Sequence, residues 1–104
     1  MSPVNADLQE NISTQTRQKI AEPFQYKVIL LNDDYTTMEF VVQVLIHVFQ
    51  KPLEEAMKIM LAVHRTGAGL CGIYPWEVAE TKANLVHALA REKGFPLQCA
   101  VEKA

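Results

Sequence analysis

Between Thr37 and Phe49 the chain carries an apolar pattern almost too broad for a surface helix. Met38, Val41, Val42, Leu45, Val48 and Phe49 fall on one wide side, and only Gln43, His47 and Gln50 form a polar stripe. A helix with so narrow a stripe is stable only when neighbours cover most of its circumference. The rest of the sequence must therefore supply elements that wrap it, and this segment becomes the centre of a packed domain.

Those elements can be read in order. Tyr26–Leu31 is rich in branched and aromatic residues and reads as a strand. It halts at the turn formers Asn32-Asp33-Asp34. Thr36 and Glu39 have capping-box spacing, which makes Thr36 the expected cap of the central helix. Pro52 suits the first position of a second helix, with Glu54 and Glu55 at its positive end. Ala56, Met60, Val63 and Gly67 share one face of that helix, Met57, Leu61 and His64 the adjoining row, and Gly67 and Gly69 end it. Ala68–Tyr74 reads as a second strand, loosened by Gly72. Pro75 opens a third helix with Glu77 in its first turn. Val78, Val86 and Leu89 are expected on its buried side with Ala79, Ala83 and Ala90, and Gly94 and Pro96 stop it. Leu97, Cys99 and Val101 alternate with Gln98, Ala100 and Glu102 as a last strand does.

The order β-α-α-β-α-β predicts an α+β fold: one small domain, residues 24–104, with a three-stranded antiparallel sheet and three helices packed on it. Residues 1–23 lack a persistent period, are mostly polar and end at Glu22-Pro23. They are expected to form a flexible N-terminal arm.

Composition narrows the function. Twelve acidic residues against ten basic ones give a net charge of −2, so no broad basic surface is offered to nucleic acid. No apolar run approaches the roughly 18–20 residues that span a bilayer, and no signal-peptide pattern opens the chain. Two cysteines, Cys71 and Cys99, make no disulfide framework. They read as small apolar core residues of a cytoplasmic protein. His47, His64 and His87 are far apart and lack the spacing of zinc ligands, so neither a metal nor a cofactor is expected. Asp33-Asp34 admits two readings, an acid/base or cation-binding pair and a turn ahead of a helix. Neighbouring carboxylates in an extended segment point apart, which disfavours a dyad.

Four segments together add a family likeness: YKVILLNDDYTTMEFVV (Tyr26–Val42), MLAVHRTG (Met60–Gly67), CGIYPWEVAETK (Cys71–Lys82) and PLQCAVEKA (Pro96–Ala104). In this order they closely resemble the ClpS family, bacterial adaptors that hand proteins with destabilising N-terminal residues to a Clp AAA+ chaperone–protease. The likeness covers roughly residues 24–104. Two departures are Thr37, where the family often has proline, and the local variation Tyr74-Pro75-Trp76.

The resemblance implies a non-enzymatic adaptor with a defined site. Asn32, Asp33, Asp34 and His64 would surround the α-amino group of an N-degron. An ammonium has three N–H donors, and an amide oxygen, a carboxylate and a neutral imidazole can each accept one. The sequence does not choose between the two aspartates. Met38, Val41, Met60, Val63 and Leu97, with Thr36 at the rim, would take the side chain of a first residue such as Leu, Phe, Tyr or Trp. Glu77 and Lys82 match the family's surface for the chaperone N-domain of ClpA or ClpC, although by spacing alone they are exposed helix charges. The arm resembles a family extension that engages the chaperone during hand-off. Three competing readings are a hydrolase using Asp33, Asp34 and His64, an adaptor with a changed cargo, and a ribosome-stalk-like interaction domain. The first lacks ligand spacing and a nucleophile arrangement, and the pocket residues count against the second. The third would not require the Asn32/His64 pair.

Overall fold

The structure, a computed structural model, describes residues 24–104. The expected arm, residues 1–23, lies outside them. The elements are β1 (Gln25–Leu31), α1 (Met38–His47), α2 (Leu53–Thr66), β2 (Ala68–Pro75), α3 (Trp76–Lys93) and β3 (Gln98–Lys103). The strands form one sheet in the order β2-β1-β3, and β1 pairs antiparallel with both neighbours. The α+β class and the β-α-α-β-α-β order follow the sequence reading.

Alternation along β1 turns Val28 and Leu30 fully inward. They meet Val44 and Leu45 of α1, Ala56 of α2 and Val86 of α3 in one apolar cluster. The wide apolar side of α1 is thus covered as its pattern demands: Val41, Val42, Val44 and Leu45 are all buried. β2 carries a bulge, where Gly72 pairs with Val28 and Leu70 with Ile29, so Cys71 has no partner and turns into the core.

The local expectations need three corrections. The cap of α1 is Thr37, whose Oγ1 accepts from Phe40 N at 3.2 Å. The Thr36 hydroxyl is taken by Asp33, so Glu39 sits one position too early for a capping box. Val78 is 41% exposed, because the buried stripe of α3 runs Ala79, Ala83, Val86, Ala90 and Val78 lies about 100° off it. Pro52 and Pro75 stand one position outside their helices, as N-caps.

Candidate functional site

The chain leaves β1 at Leu31 and enters α1 at Met38 through a six-residue turn that Asp33 holds together. Asp33 Oδ1 accepts the backbone N–H groups of Tyr35 at 2.8 Å and Thr36 at 2.7 Å, and Oδ2 accepts the Thr36 hydroxyl at 2.6 Å. Burial alone would raise this carboxyl's pKa, but the bonds from Thr36 and Tyr35 outweigh it and hold the group below its ordinary value. Asp33 is therefore a structural anion, which answers one half of the Asp33-Asp34 ambiguity in favour of the turn.

The facing wall is the last two turns of α2. Gly67 closes this helix in the left-handed region, φ 93°, with its N–H on Val63 O at 3.0 Å. The Thr66 hydroxyl straps the same end, its single proton shared between Ala62 O at 2.7 Å and Ala68 O at 2.9 Å. Gly69 then lets β2 pass close by, since a Cβ there would lie 2.6 Å from Val63 Cγ2 and 3.1 Å from Ile59 O. A backbone bond from Asn32 N to Gly67 O, 3.0 Å, joins the β1 exit to the end of α2. Asn32 and His64 thereby come to line one opening.

That opening is a cavity of about 260 Å3 lined by Asn32, Asp33, Asp34, Thr36, Met38, Val41, Met60, Val63 and His64. All four residues expected around an amino group line it, and so do five of the six expected around a side chain. Leu97 does not. It is buried and borders a different cavity, with His87, Arg91 and Phe95. It belongs to the same apolar cluster as Val41, Met60 and Val63, just before β3, where Gln98 pairs with Leu31.

The cavity is chemically two-ended. Val41, Met60 and Val63 are buried and make an apolar floor, while Met38, 44% exposed, stands at the mouth. Asn32, Asp34 and His64 are exposed at the polar end, and no hydrogen bond or ion pair within the described residues engages their side chains. Two carboxylates and no Lys or Arg line the cavity, so its potential favours a cation. A dry apolar cavity of about 150 Å3 takes up benzene, so the space here suits one large side chain with a charged group at its root. Among the described residues no three His, Cys, Asp or Glu side chains converge as metal ligands do. The Thr36 hydroxyl is tied to a carboxylate rather than poised beside an imidazole.

Glu77 is exposed in the first turn of α3, away from the cavity. Lys82 departs from the expected exposed charge. Its half-buried ammonium donates to Val48 O at 2.6 Å and Gln50 Oε1 at 3.0 Å, and it lies 5.3 Å from the Tyr74 ring centroid and 5.8 Å from that of Phe49. Gln50, at φ 53°, returns its amide N–H to His47 O at 3.0 Å. Lys82 thus helps to finish the C-terminal end of α1. Sequence reasoning missed this because the partner carbonyl is 34 residues away, and no local pattern announces it.

Comparison with known proteins converges on one family. A family model described as "ATP-dependent Clp protease adaptor protein ClpS" matches residues 21–100. An ATP-dependent Clp protease adapter protein ClpS of Desulforapulum autotrophicum is 54% identical over 103 residues, covering 99% of both chains. Its counterpart in Nitratidesulfovibrio vulgaris is 62% identical over 81 residues, 78% of each chain. Among solved structures, Agrobacterium tumefaciens ClpS2 bound to L-phenylalaninamide is 41% identical, with a TM-score of 0.76 over 79% of this chain and 99% of that one.

Proposed function

Because the chain belongs to the ClpS family of Clp protease adaptors, we propose that its α1–α2 cavity binds the N-terminal residue of other proteins and that the domain delivers them to a Clp chaperone–protease. The observation that carries this reading is the two-ended cavity: an apolar floor next to an amide, a carboxylate and an imidazole with no internal partners. The ligand of the Agrobacterium relative, an aromatic residue with a free amino group, has that same two-part chemistry.

The free α-amino group is an ammonium below a pKa of about 7.7–8.0. Asn32 Oδ1, an Asp34 oxygen and a His64 ring nitrogen accept its three N–H groups, directly or through water. Asp34 takes this part rather than Asp33 because its oxygens have no internal partner within the described residues, whereas three bonds from Tyr35 and Thr36 already hold the Asp33 carboxylate to the turn. The side chain enters between Met38 and Val41 on one wall and Met60 and Val63 on the other. Burying a Phe or Leu side chain contributes about 1.5–3 kcal/mol, and each charge-assisted bond a further ~1.5–3 kcal/mol. Association and ordering costs remove much of the sum. A dissociation constant in the micromolar range, about −8 kcal/mol, is the expected result.

Hand-off follows from docking on the N-domain of a ClpA- or ClpC-type chaperone in the cytoplasm, through the α3 surface that carries Glu77 and Lys82. Among the described residues no helix is long and apolar enough to cross a membrane. Deleting residues 1–23 should leave peptide binding intact and impair degradation.

The deciding experiment is fluorescence anisotropy with peptides that differ only in their first residue, each with a free or an acetylated amino group. Leu, Phe, Tyr and Trp should bind and Ser should not, and acetylation should nearly abolish binding. Equal affinity for Leu- and Ser-initiated peptides would overturn the reading.

A further inference from the structure

The α2 helix has a second apolar feature that the cavity does not use. Leu53 and Met57 are its exposed large apolar residues, 61% and 43% accessible. Lys58 and Arg65, both exposed, border this edge on its solvent side, next to Leu61. Leu53 and Met57 are four residues apart, and Met57 and His64 seven, so all three fall on one edge of the helix within about 20–40° of each other. Met60 lies three residues past Met57 and four before His64, which links this row to the cavity floor without a break. Leu61, half-buried, borders the same edge.

We propose that this edge, Leu53 and Met57 with Leu61, is a second subsite of the same cleft, which takes an apolar side chain from the residues that follow the ligand's first. The inference rests on the reading of the cavity given above and extends it. Its occupant is the bound polypeptide itself, because the row continues from His64 and Met60, where the ligand's amino end is held. Distance sets the register. Met57 is about 10 Å along the helix from His64, and an extended chain advances about 3.3 Å per residue, so the third or fourth residue reaches it. Methionine suits such a surface. Its unbranched, polarisable side chain adapts to many shapes, and Met38, Met57 and Met60 all border the cleft or its extension. The cavity would then read the first residue strictly, while the α2 edge would favour an apolar character a few positions later.

The test uses peptides that all begin with a free Phe and carry Leu, Ser or Asp at positions three and four, measured by anisotropy with the full chain and with the Leu53→Ser/Met57→Ser double variant. Both side chains are exposed, so the variant should keep its thermal midpoint. Leu peptides should bind the full chain about three- to tenfold tighter than Ser peptides, and the double variant should lose that difference. It should still reject Ser-initiated and acetylated ligands. Equal affinities for the Leu and Ser series, or a preference that survives in the double variant, would overturn the subsite while leaving the cavity reading intact. A double variant that binds every peptide normally but loses chaperone binding would assign the edge to the chaperone and overturn it as well. Loss of first-residue discrimination in the full chain would instead overturn the cavity reading on which the subsite depends.

Discussion

Asp33 and Thr36 are joined twice, by the Thr36 backbone N–H on Oδ1 at 2.7 Å and the Thr36 hydroxyl on Oδ2 at 2.6 Å. The pair shapes the turn that presents Asn32 and Asp34. Asp33→Ala should therefore cost roughly 1 kcal/mol of stability, as loss of a partly exposed capping carboxylate does, and should weaken peptide binding through the turn. Asp34→Ala should weaken binding alone. Urea melts beside anisotropy titrations separate the two. Because the folded pKa of Asp33 is depressed, its contribution is complete above the ordinary value of 3.8 and is lost as pH falls through the lower folded value. In Asp33→Ala the acid limb of the stability profile should flatten below about pH 4.

Gly69→Ala is the sharpest test of how β2 sets the cavity floor. The new methyl would meet Val63 Cγ2 at 2.6 Å and the Ile59 carbonyl oxygen at 3.1 Å, and the second of these is backbone. Overpacking of this kind costs typically about 1–3 kcal/mol. Val63 must shift, and it lines the cavity, so affinity for Phe-initiated peptides should fall together with the melting midpoint. A variant that melts lower but binds normally would show that the cavity tolerates a displaced Val63.

Met38 stands half-exposed at the mouth. Met38→Ala should widen the entrance and let Ile- and Val-initiated peptides approach the affinity of Leu-initiated ones, with little effect on stability. A panel of first residues whose ranking does not change would remove Met38 from the selectivity of the site.

Lys82 has two candidate duties, and denaturation tells them apart. If the bonds to Val48 O and Gln50 Oε1 support the α1 terminus, Lys82→Met should lower stability by roughly 1–2 kcal/mol. Chaperone affinity would then drop in part because the surface is disturbed. An unchanged unfolding midpoint with lost chaperone binding would leave the partner contact as its whole contribution.

Burial pushes the Cys71 thiol up to about 12 and the Cys99 thiol up to about 11. Both lie in the core. At pH 8 the folded protein should react with iodoacetamide about a hundredfold or more slower than the unfolded chain, because the thiolate is the nucleophile. Rapid labelling of either cysteine in the native protein would reveal local opening of β2 or β3.

The sequence carries most of the fold because its punctuation is strong. Pro52 and Gly67 bound α2, Pro75 and Gly94 bound α3, and the α1 pattern leaves no alternative to burial. The departures fall where the deciding partner is not local or where two side chains compete for one role. Thr36 and Thr37 are equivalent as caps until Asp33 binds one of them. Leu97 is buried, as apolar patterning requires, in one cluster with Val41, Met60 and Val63, and borders the cavity formed with His87, Arg91 and Phe95. Lys82 looks like any helix lysine until a carbonyl 34 residues away is known to face it.

The hydrogen bond from Asn32 N to Gly67 O also ties the site to the folded state. It joins the two segments that supply the grip on a ligand, and they are 35 positions apart along the polypeptide. Neither a fragment nor a loosely collapsed chain can assemble that grip. Ligand capture is therefore also a readout of the native population: damage to the sheet at positions that do not touch the cavity lining should lower the concentration of working receptor while each surviving copy keeps its affinity.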